Sequence, residues 1–171
     1  IEDNVYHYPF GECIKEQGPF IVCLQQGNRM ESVSLFCKGM IMPLFDMCYR
    51  QKRDLIIIPF SEDVEELRFE FGKFHLHTFD QFIGMDKKGD AQIIPILKRI
   101  INIIDEADVK DQTEVMLITN NDLLDYNEDK VLKLVDILKE RFVSITAVSV
   151  SEQHNEKHPM RFLENIYYVN E

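Results

Sequence analysis

The sequence predicts a single α/β domain in which a mostly parallel β-sheet is covered by helices on both faces. Short, continuous apolar runs alternate along the chain with longer amphipathic segments, which is the pattern of strands joined by crossover helices. The runs Phe20–Leu24 and Leu55–Phe60 are apolar at every position, as in strands that a parallel sheet buries on both faces. A chain of 171 residues with 45% hydrophobic residues is long enough for one well-buried core.

The first strand and the first helix follow a short N-terminal segment. Residues 1–18 have no sustained hydrophobic period and are expected to form a lead-in or linker, so that the domain spans residues 19–171. The apolar run at 19–25 predicts the first buried strand. Apolar residues then recur every three or four positions over 30–50, which predicts a helix that Pro43 should kink or break.

The next segments predict the second and third strands. Residues 54–60 form another continuous apolar run and should be a central strand. Residues 67–71 alternate strictly between apolar and polar, which indicates a strand with one wet face at the edge of the sheet. The connection between these two runs is too short for a crossover, so the edge strand should be antiparallel to its neighbour. Apolar and polar residues alternate again over 74–77, so the hairpin could extend into this segment.

The second half of the chain continues the helix and strand pattern. Asp90 is a natural N-cap for a long helix whose apolar stripe runs from Ile93 to Ile104. Residues 114–119 predict a buried strand, and Asn127 opens another helix with acidic residues in its first turn. The remaining predicted elements are a strand at 143–150, a polar loop at 151–158, a short helical segment at 160–164 and a last strand at 166–169.

The composition argues against several classes of function. The chain has 19 Lys and Arg against 30 Asp and Glu, and its formal net charge of -11 disfavours nucleic acid and anionic membrane surfaces as partners. A basic protein surface is a suitable partner for such a chain. No segment reaches the ~18–20 uninterrupted apolar residues of a membrane span. The four cysteines have no CxxC spacing, so we expect reduced core thiols in a cytoplasmic protein.

Signatures of catalysis are missing from the sequence. It contains no GxGxxG, P-loop, GxSxG or HExxH motif, and Gln25 stands where a receiver-type phosphoacceptor Asp would end the first strand. His75 and His77 have no third metal ligand nearby, and His154 and His158 lie in a predicted loop where helical spacing has no meaning. We therefore expect a domain that is not an enzyme and has no cofactor.

The order of these segments resembles a von Willebrand factor A (vWA) domain from about residue 18 to the end. The resemblance rests on Gly18-Pro-Phe-Ile-Val-Cys-Leu with its polar loop, Leu-Ile-Ile-Ile-Pro-Phe-Ser with an acidic antiparallel edge, Lys-Gly-Asp before a helix, and Met-Leu-Ile-Thr-Asn. It is nearest to the bacterial CoxE-like group, whose members work with MoxR-type AAA+ ATPases. The resemblance implies a Rossmann-like three-layer α/β/α fold, a six-stranded sheet in the order 3-2-1-4-5-6, and a protein-binding module of a larger cytoplasmic protein.

In vWA domains, loops at the carboxyl ends of the central strands form the metal-ion-dependent adhesion site (MIDAS). Hard oxygen ligands there hold Mg²⁺ and leave a coordination position for a partner's carboxylate. By position, the family's Asp-x-Ser-x-Ser loop becomes Gln25, Gly27 and Arg29, the Thr falls at or next to Asp90, and the Asp after the strand becomes Asn120. Every residue departs from the family pattern, and the Arg29 guanidinium would repel a divalent ion. The resemblance therefore implies degenerate binding loops without a metal.

Several alternatives stay open at the level of sequence. Arg29 either replaces the ion by pairing with Asp90 and bonding to Asn120 or Gln25, or points into water at the start of a helix. Asp90, Asn120, Gln25 and water could instead hold a weak Mg²⁺ in a metal-dependent ligand-binding domain. The crevice could also serve a hydrolase with Asp90 as its base. The acidic run at 62–66 is either a solvated turn or a docking point for a basic partner.

Overall fold

A computed structural model describes residues 18–73, 75–107, 113–120, 122–123, 127–150, 163 and 165–169. The strands are β1 (Phe20–Gln25), β2 (Leu55–Phe60), β3 (Leu67–Phe69), β4 (Thr113–Thr119), β5 (Val143–Ser149) and β6 (Asn165–Tyr168). The helices are α1 (Ser34–Gln51), α2 (Leu76–Gly84), α3 (Ile93–Ala107) and α4 (Glu128–Glu140), and a short 3-10 helix at Asn28–Val33 precedes α1.

The six strands form one sheet in the order β3-β2-β1-β4-β5-β6. Strand β1 pairs in parallel with β2 and β4, the pairs β4–β5 and β5–β6 are also parallel, and β3 is antiparallel to β2 at the edge. This topology confirms the predicted fold class and the predicted strand order. The carboxyl ends of β1 and β4 lie side by side where the winding direction reverses, which is where open α/β sheets place their ligands.

Apolar side chains cover both faces of the sheet. One core cluster joins the sheet to α3 and α4 and includes Ile21 and Ile100. The other lies under α1 and α2 and includes Val22 and Phe82. Because successive residues of a strand point to opposite faces, Ile21 and Val22 enter different clusters. The molecule therefore has the three layers that the sequence predicts.

The cysteines that the structure describes belong to this interior. Cys23, Cys37 and Cys48 are buried, as expected from the sequence. Burial raises the pKa of the Cys48 thiol to about 11, and the pKa of the fully buried Cys23 thiol is raised further. These thiols therefore stay protonated at neutral pH and are poor nucleophiles.

One prediction about a helix boundary was wrong, and another was wrong in part. A kink or a break was expected at Pro43, and the break does not occur: helix α1 continues through Pro43, because the buried side chains of Ile41 and Cys48 hold the helix against the core on both sides of the proline. Helix α3 begins at Ile93, so Asp90 lies three residues before the helix and is not its N-cap. The predicted opening of α4 is confirmed, since the Asn127 side chain caps the helix by accepting a hydrogen bond from the backbone N–H of Lys130 at 3.1 Å.

The hairpin extension considered for residues 74–77 was also wrong. The chain turns at Gly72, which has φ 76°, and enters helix α2 at Leu76, while Phe74 lies outside the described residues. The helix buries Phe82 and packs the Phe79 ring against Phe45 of α1 at a centroid distance of 5.6 Å. Contacts with α1, rather than the local alternation, therefore decide the structure of this segment.

Several predictions fall outside the described residues. They concern the lead-in apart from Gly18, the loop at 151–158 with its two histidines, and the helical segment at 160–164 apart from Leu163. In the part of the chain that the structure describes, no helix is long and apolar enough to cross a membrane.

Candidate functional site

The loops that follow β1 and β4 meet at the switch point of the sheet, and Gln25 joins them. Gln25 is the last residue of β1 and is 3% exposed. Its Oε1 accepts hydrogen bonds from the Thr119 hydroxyl and from the backbone N–H of Asn120, the latter at 3.1 Å. Its Nε2 donates to the backbone carbonyl of Asp122 at 3.2 Å. One buried amide thus binds three groups of the segment that follows β4.

Arg29 makes a second connection between the same loops. Its guanidinium forms an ion pair with the Asp122 carboxylate, and the two side chains are 60% and 39% exposed. The Asn120 side chain supports the pair by donating from Nδ2 to the Arg29 carbonyl at 3.3 Å and accepting from the Asp122 N–H at 3.1 Å. We expected Arg29 either to pair with Asp90 or to point into water. Among the described residues its carboxylate partner is Asp122, so the proposed pairing with Asp90 was wrong.

Gly27 brings the loop before α3 against the loop after β1. Its φ of 114° is a conformation that residues with a side chain rarely adopt. A Cβ atom at Gly27 would lie 2.3 Å from the carbonyl oxygen of Gly89 and 3.9 Å from the Cβ of Ser61. Asp90, which follows Gly89 directly, is therefore on the β2 side of the site, whereas Asp122 is on the β4 side. This placement explains why Arg29 pairs with the latter.

A second glutamine ties the loop after α2 to the end of β1. Gln26 is 3% exposed, and it donates from Nε2 to the Met85 carbonyl at 3.5 Å and accepts from the Lys87 N–H at 3.1 Å. The buried Lys38 of α1 also donates to this region, to the carbonyls of Ile83 at 2.9 Å and Met85 at 2.6 Å. These bonds satisfy carbonyls at the end of α2, which a helix otherwise leaves without a partner.

The acidic run at 62–66 borders the site on the β2 side. Glu65 pairs with Lys87 at 3.0 Å, and Glu66 accepts from Arg99 Nε at 2.7 Å. Glu62 and Asp63 are exposed, and the Glu62 side chain lies against Gly89. Glu65 and Glu66 therefore have a structural role. Glu62 and Asp63 present negative charge next to the loop that carries Asp90.

The sequence-predicted site residues meet at one end of the sheet, with different roles. Gln25, Arg29 and Asn120 belong to one hydrogen-bonded network, Gly27 allows the close approach of two loops, and Asp90 lies at its border. Oε1 of Gln25 and Oδ1 of Asn120, both of which could face a cation, accept hydrogen bonds from protein donors. Within the described ranges, no group of three His, Cys, Asp or Glu side chains could hold a metal ion.

Sequence reasoning missed three residues of this region: Asp122, Gln26 and Lys38. Asp122 follows β4 by three residues and is an obvious acid near the switch point, but its loop could not be placed from the sequence. The Gln-Gln pair at the end of a buried strand could have indicated Gln26, because buried side-chain amides require hydrogen-bond partners. Lys38 gave no signal, since a lysine in an amphipathic helix is normally solvated.

Comparisons with known proteins identify the fold. No protein-family model matches the sequence, and no curated protein shows significant similarity to it. The manganese-loaded TRAP protein of Plasmodium vivax superposes with a TM-score of 0.71 at 12% identity, covering 91% of this chain and 69% of that one. Proximal thread matrix protein 1 of the mussel byssus gives a TM-score of 0.67 at 17% identity, covering 90% of this chain and 43% of its own, so this chain spans less than half of it.

Another structure of the mussel protein is described as having a zinc-occupied MIDAS motif. The SpRpn10 VWA domain gives a TM-score of 0.67 at 9% identity, covering 90% of this chain and 88% of that one. Identities this low show a shared fold and no more. With its six-stranded sheet in the order 3-2-1-4-5-6 and its single antiparallel edge, the chain has the fold of a vWA domain.

Proposed function

We propose that this domain is a protein-interaction module of the vWA type that works without a metal ion and without catalysis. The observation that carries the proposal is the network at the switch point, in which Gln25, Arg29, Asn120 and Asp122 bind one another. This is the position in which vWA domains with a MIDAS motif hold their ion. The residues there do not fit a divalent cation, for two reasons.

The first reason is the donor set. Mg²⁺ prefers carboxylate and hydroxyl oxygens in near-octahedral geometry. Gln25 and Asn120 offer neutral amide oxygens that already accept hydrogen bonds from the protein. A serine side chain in place of Gly27 would collide with the Gly89 carbonyl. A third oxygen ligand of the Asp-x-Ser-x-Ser type therefore has no room.

The second reason is charge. The Arg29 guanidinium is a permanent cation, and it pairs with Asp122, so a divalent ion would have to displace it. The ion pair joins the loop after β1 to the loop after β4. It therefore holds the two loops together, as a bound ion would. We infer that Arg29 is the surrogate cation of this site, and that the binding loops stay in place at any free Mg²⁺ concentration.

The partner is a protein with a basic surface. The net charge of the chain is -11, and the exposed Glu62 and Asp63 stand at the border of the site. Opposite charges across an interface accelerate association and select among partners. The resemblance to the CoxE-like group supports a MoxR-type AAA+ ATPase as the partner class, with this chain as one module of a larger cytoplasmic protein.

Thermal unfolding tests the metal-free part of this proposal. We expect the same Tm in EDTA and in millimolar Mg²⁺ or Mn²⁺, with monovalent salt added to match the ionic strength. A ligand present at 100 times its Kd stabilises the native state by about 2.7 kcal/mol, so real binding would raise the Tm clearly. A metal-specific rise would support the alternative, a Mg²⁺-dependent vWA ligand-binding domain.

A charge reversal tests the binding surface. The double variant Arg29→Asp with Asp122→Arg keeps an ion pair but inverts its direction, and we expect it to lose capture of a purified MoxR-type ATPase. The matched control is Arg50→Asp with Asp46→Arg, which inverts the exposed 2.8 Å ion pair on α1. Equal capture by both variants would contradict a binding surface at the switch point.

A further inference from the structure

Helices α1 and α2 pack side by side and antiparallel on one face of the sheet. Lys38, in the second turn of α1, donates from Nζ to the Ile83 carbonyl at 2.9 Å, near the end of α2. Two turns later, the Phe45 ring meets the ring of Phe79, in the first turn of α2, at a centroid distance of 5.6 Å. The two helices therefore run in opposite directions, and one seam between them faces away from the sheet.

Apolar side chains are exposed on both helices at a spacing of seven residues. On α1, Leu35 is 82% exposed and Tyr49 67%, and the half-buried Met42 lies midway between them. On α2, Leu76 is 56% exposed and Ile83 44%. Residues seven positions apart lie on the same side of a helix, two turns from each other. These five side chains form an apolar surface along the two helices, the α1–α2 face.

A groove lies at one end of the α1–α2 face and is lined by both Tyr49 and Leu76. It has a volume of about 640 Å³, and its aromatic lining includes Phe45, Phe69 and Phe79. This volume falls in the range of ~300–1,000 Å³ that is typical of binding pockets. An apolar stripe with a pocket at one end is suited to a helix that carries a large apolar anchor residue.

The margin of the α1–α2 face is acidic. Glu31 of the 3-10 helix, Asp80 of α2 and Asp86 just after α2 are exposed, and none of them forms an ion pair with another residue that the structure describes. A second copy of the chain would bring the same three acids to the interface, and anionic lipid would also be repelled. A partner with Lys and Arg beside its apolar residues is complementary to this margin.

The cations of the same helices do not offset these acids. Arg50 pairs with Asp46 at 2.8 Å, and Arg29 pairs with Asp122. Lys38 is buried between the helices, where its ammonium group donates to carbonyls at the end of α2. The carboxyl end of a helix carries the negative end of its dipole, so Lys38 already has a compensating charge.

We propose that the α1–α2 face binds an amphipathic helix of another protein, with apolar side chains on one side and Lys or Arg along its margins. Helix α1 has 18 residues and is about 27 Å long, so the bound helix has about five turns. Its apolar side chains pack against Leu35, Met42 and Ile83, and a large one at its end fills the groove. Helices that bind in apolar grooves use anchors of this spacing.

This surface is separate from the network at the switch point. None of the five side chains of the α1–α2 face belongs to that network, so the inference goes beyond the proposed function and does not depend on it. The double variant Arg29→Asp with Asp122→Arg should therefore leave binding of a helix to this face unchanged.

A designed peptide tests the proposal. It is about five turns long, with leucine at heptad positions a and d, lysine elsewhere, and one Trp in place of the last d leucine. The chain has no Trp, so the emission reports on the peptide alone. With the 171-residue protein we expect saturable binding, blue-shifted emission and a gain of helix in the peptide.

Variants of the face should weaken this binding. Leu76→Gln combined with Ile83→Gln should raise the Kd at least about tenfold, because it removes two apolar contacts without adding charge. Leu132→Gln, which changes an exposed leucine of α4, is the matched control and should leave the Kd unchanged. Asp80→Lys should raise the Kd several-fold and weaken its dependence on salt, whereas Asp136→Lys on α4 should do neither.

Several outcomes would overturn the proposal. One is the absence of saturable binding, and another is an unchanged Kd for the double glutamine variant, which would mean that the peptide binds elsewhere. Equal affinity for a peptide with glutamate in place of lysine would show that charge does not select the partner. A wild-type dimer that the glutamine variant converts to a monomer would mean that a second copy covers the face. Far-UV circular dichroism confirms that each variant is folded.

Discussion

Replacing Gln25 by alanine should destabilise the domain, because Gln25 is a buried side chain that makes three hydrogen bonds. The substitution removes hydrogen bonds to Thr119, Asn120 and Asp122, from a side chain that is 3% exposed. Each bond contributes about 1 kcal/mol, and a group left without a partner in the interior costs about 1–3 kcal/mol. Asn120 and Asp122 are half-buried, so water compensates part of their loss. We therefore expect Gln25→Ala to cost about 2–4 kcal/mol.

Urea unfolding at 25 °C, followed by far-UV circular dichroism, measures this cost. The midpoint should fall while the m-value stays the same, and the Tm should fall by roughly 4–16 °C for a domain of this size. The matched control is Gln81→Ala on α2, an exposed glutamine whose loss should change stability by less than about 0.5 kcal/mol. If Gln25→Ala also cost less than about 0.5 kcal/mol, Gln25 would not be what holds the two loops together.

Four further substitutions test other parts of the structure. Gly27→Ala should cost more than about 2 kcal/mol in urea unfolding, because its φ of 114° is strained for alanine and the new Cβ would meet a carbonyl oxygen at 2.3 Å. Gly39→Ala, in open space on α1, should instead stabilise by about 0.5–1 kcal/mol. Lys38→Met should cost about 1.5–3 kcal/mol and increase hydrogen exchange at the end of α2, since it removes two charged hydrogen bonds. Burial raises the pKa of the Cys48 thiol from 9.0 to about 11. The neutral thiol's contribution to the free energy of unfolding should therefore be constant below pH 9 and be lost as the pH rises from 9 to 11. In the variant Cys48→Ala, the free energy of unfolding should vary less with pH in that window.

The strands could be predicted from the sequence because a parallel sheet buries both faces. The runs that became β1 and β2 are buried at all six positions, so a continuous apolar run was a sufficient signal. The strand β3 alternates buried, exposed and buried, and its alternation placed it at the edge. Helix α2 could not be predicted, because its first residues alternate like a strand. Its helical structure depends on contacts of Phe79 and Phe82 with α1, which no local pattern reveals.

The position of the candidate site could be predicted, but its internal bonds could not. The carboxyl ends of parallel strands meet at one edge, so Gln25 and Asn120 had to be neighbours. The partner of Arg29 depended on the conformation of two loops. Gly27, with its positive φ, turns the first loop toward Gly89, and Asn120 holds Asp122 within reach of the guanidinium. Such loop conformations depend on tertiary contacts that no local sequence pattern reveals.

The replacement of a carboxylate by Gln25 and the presence of Arg29 are two parts of one electrostatic arrangement. A carboxylate can only accept hydrogen bonds, so an aspartate or glutamate at position 25 would face the Asp122 carbonyl without a proton to donate. It would also add a buried negative charge beside Asp122, which is costly unless a cation compensates both. The Gln25 amide accepts from Thr119 and donates to Asp122 at once, and so needs no ion. Among the described residues, Asp122 is then the carboxylate that pairs with Arg29, and one guanidinium is enough to neutralise it. On this reasoning Gln25→Glu should be more destabilising at pH 7 than Gln25→Ala, and lowering the pH until the new carboxyl is protonated should restore part of the difference.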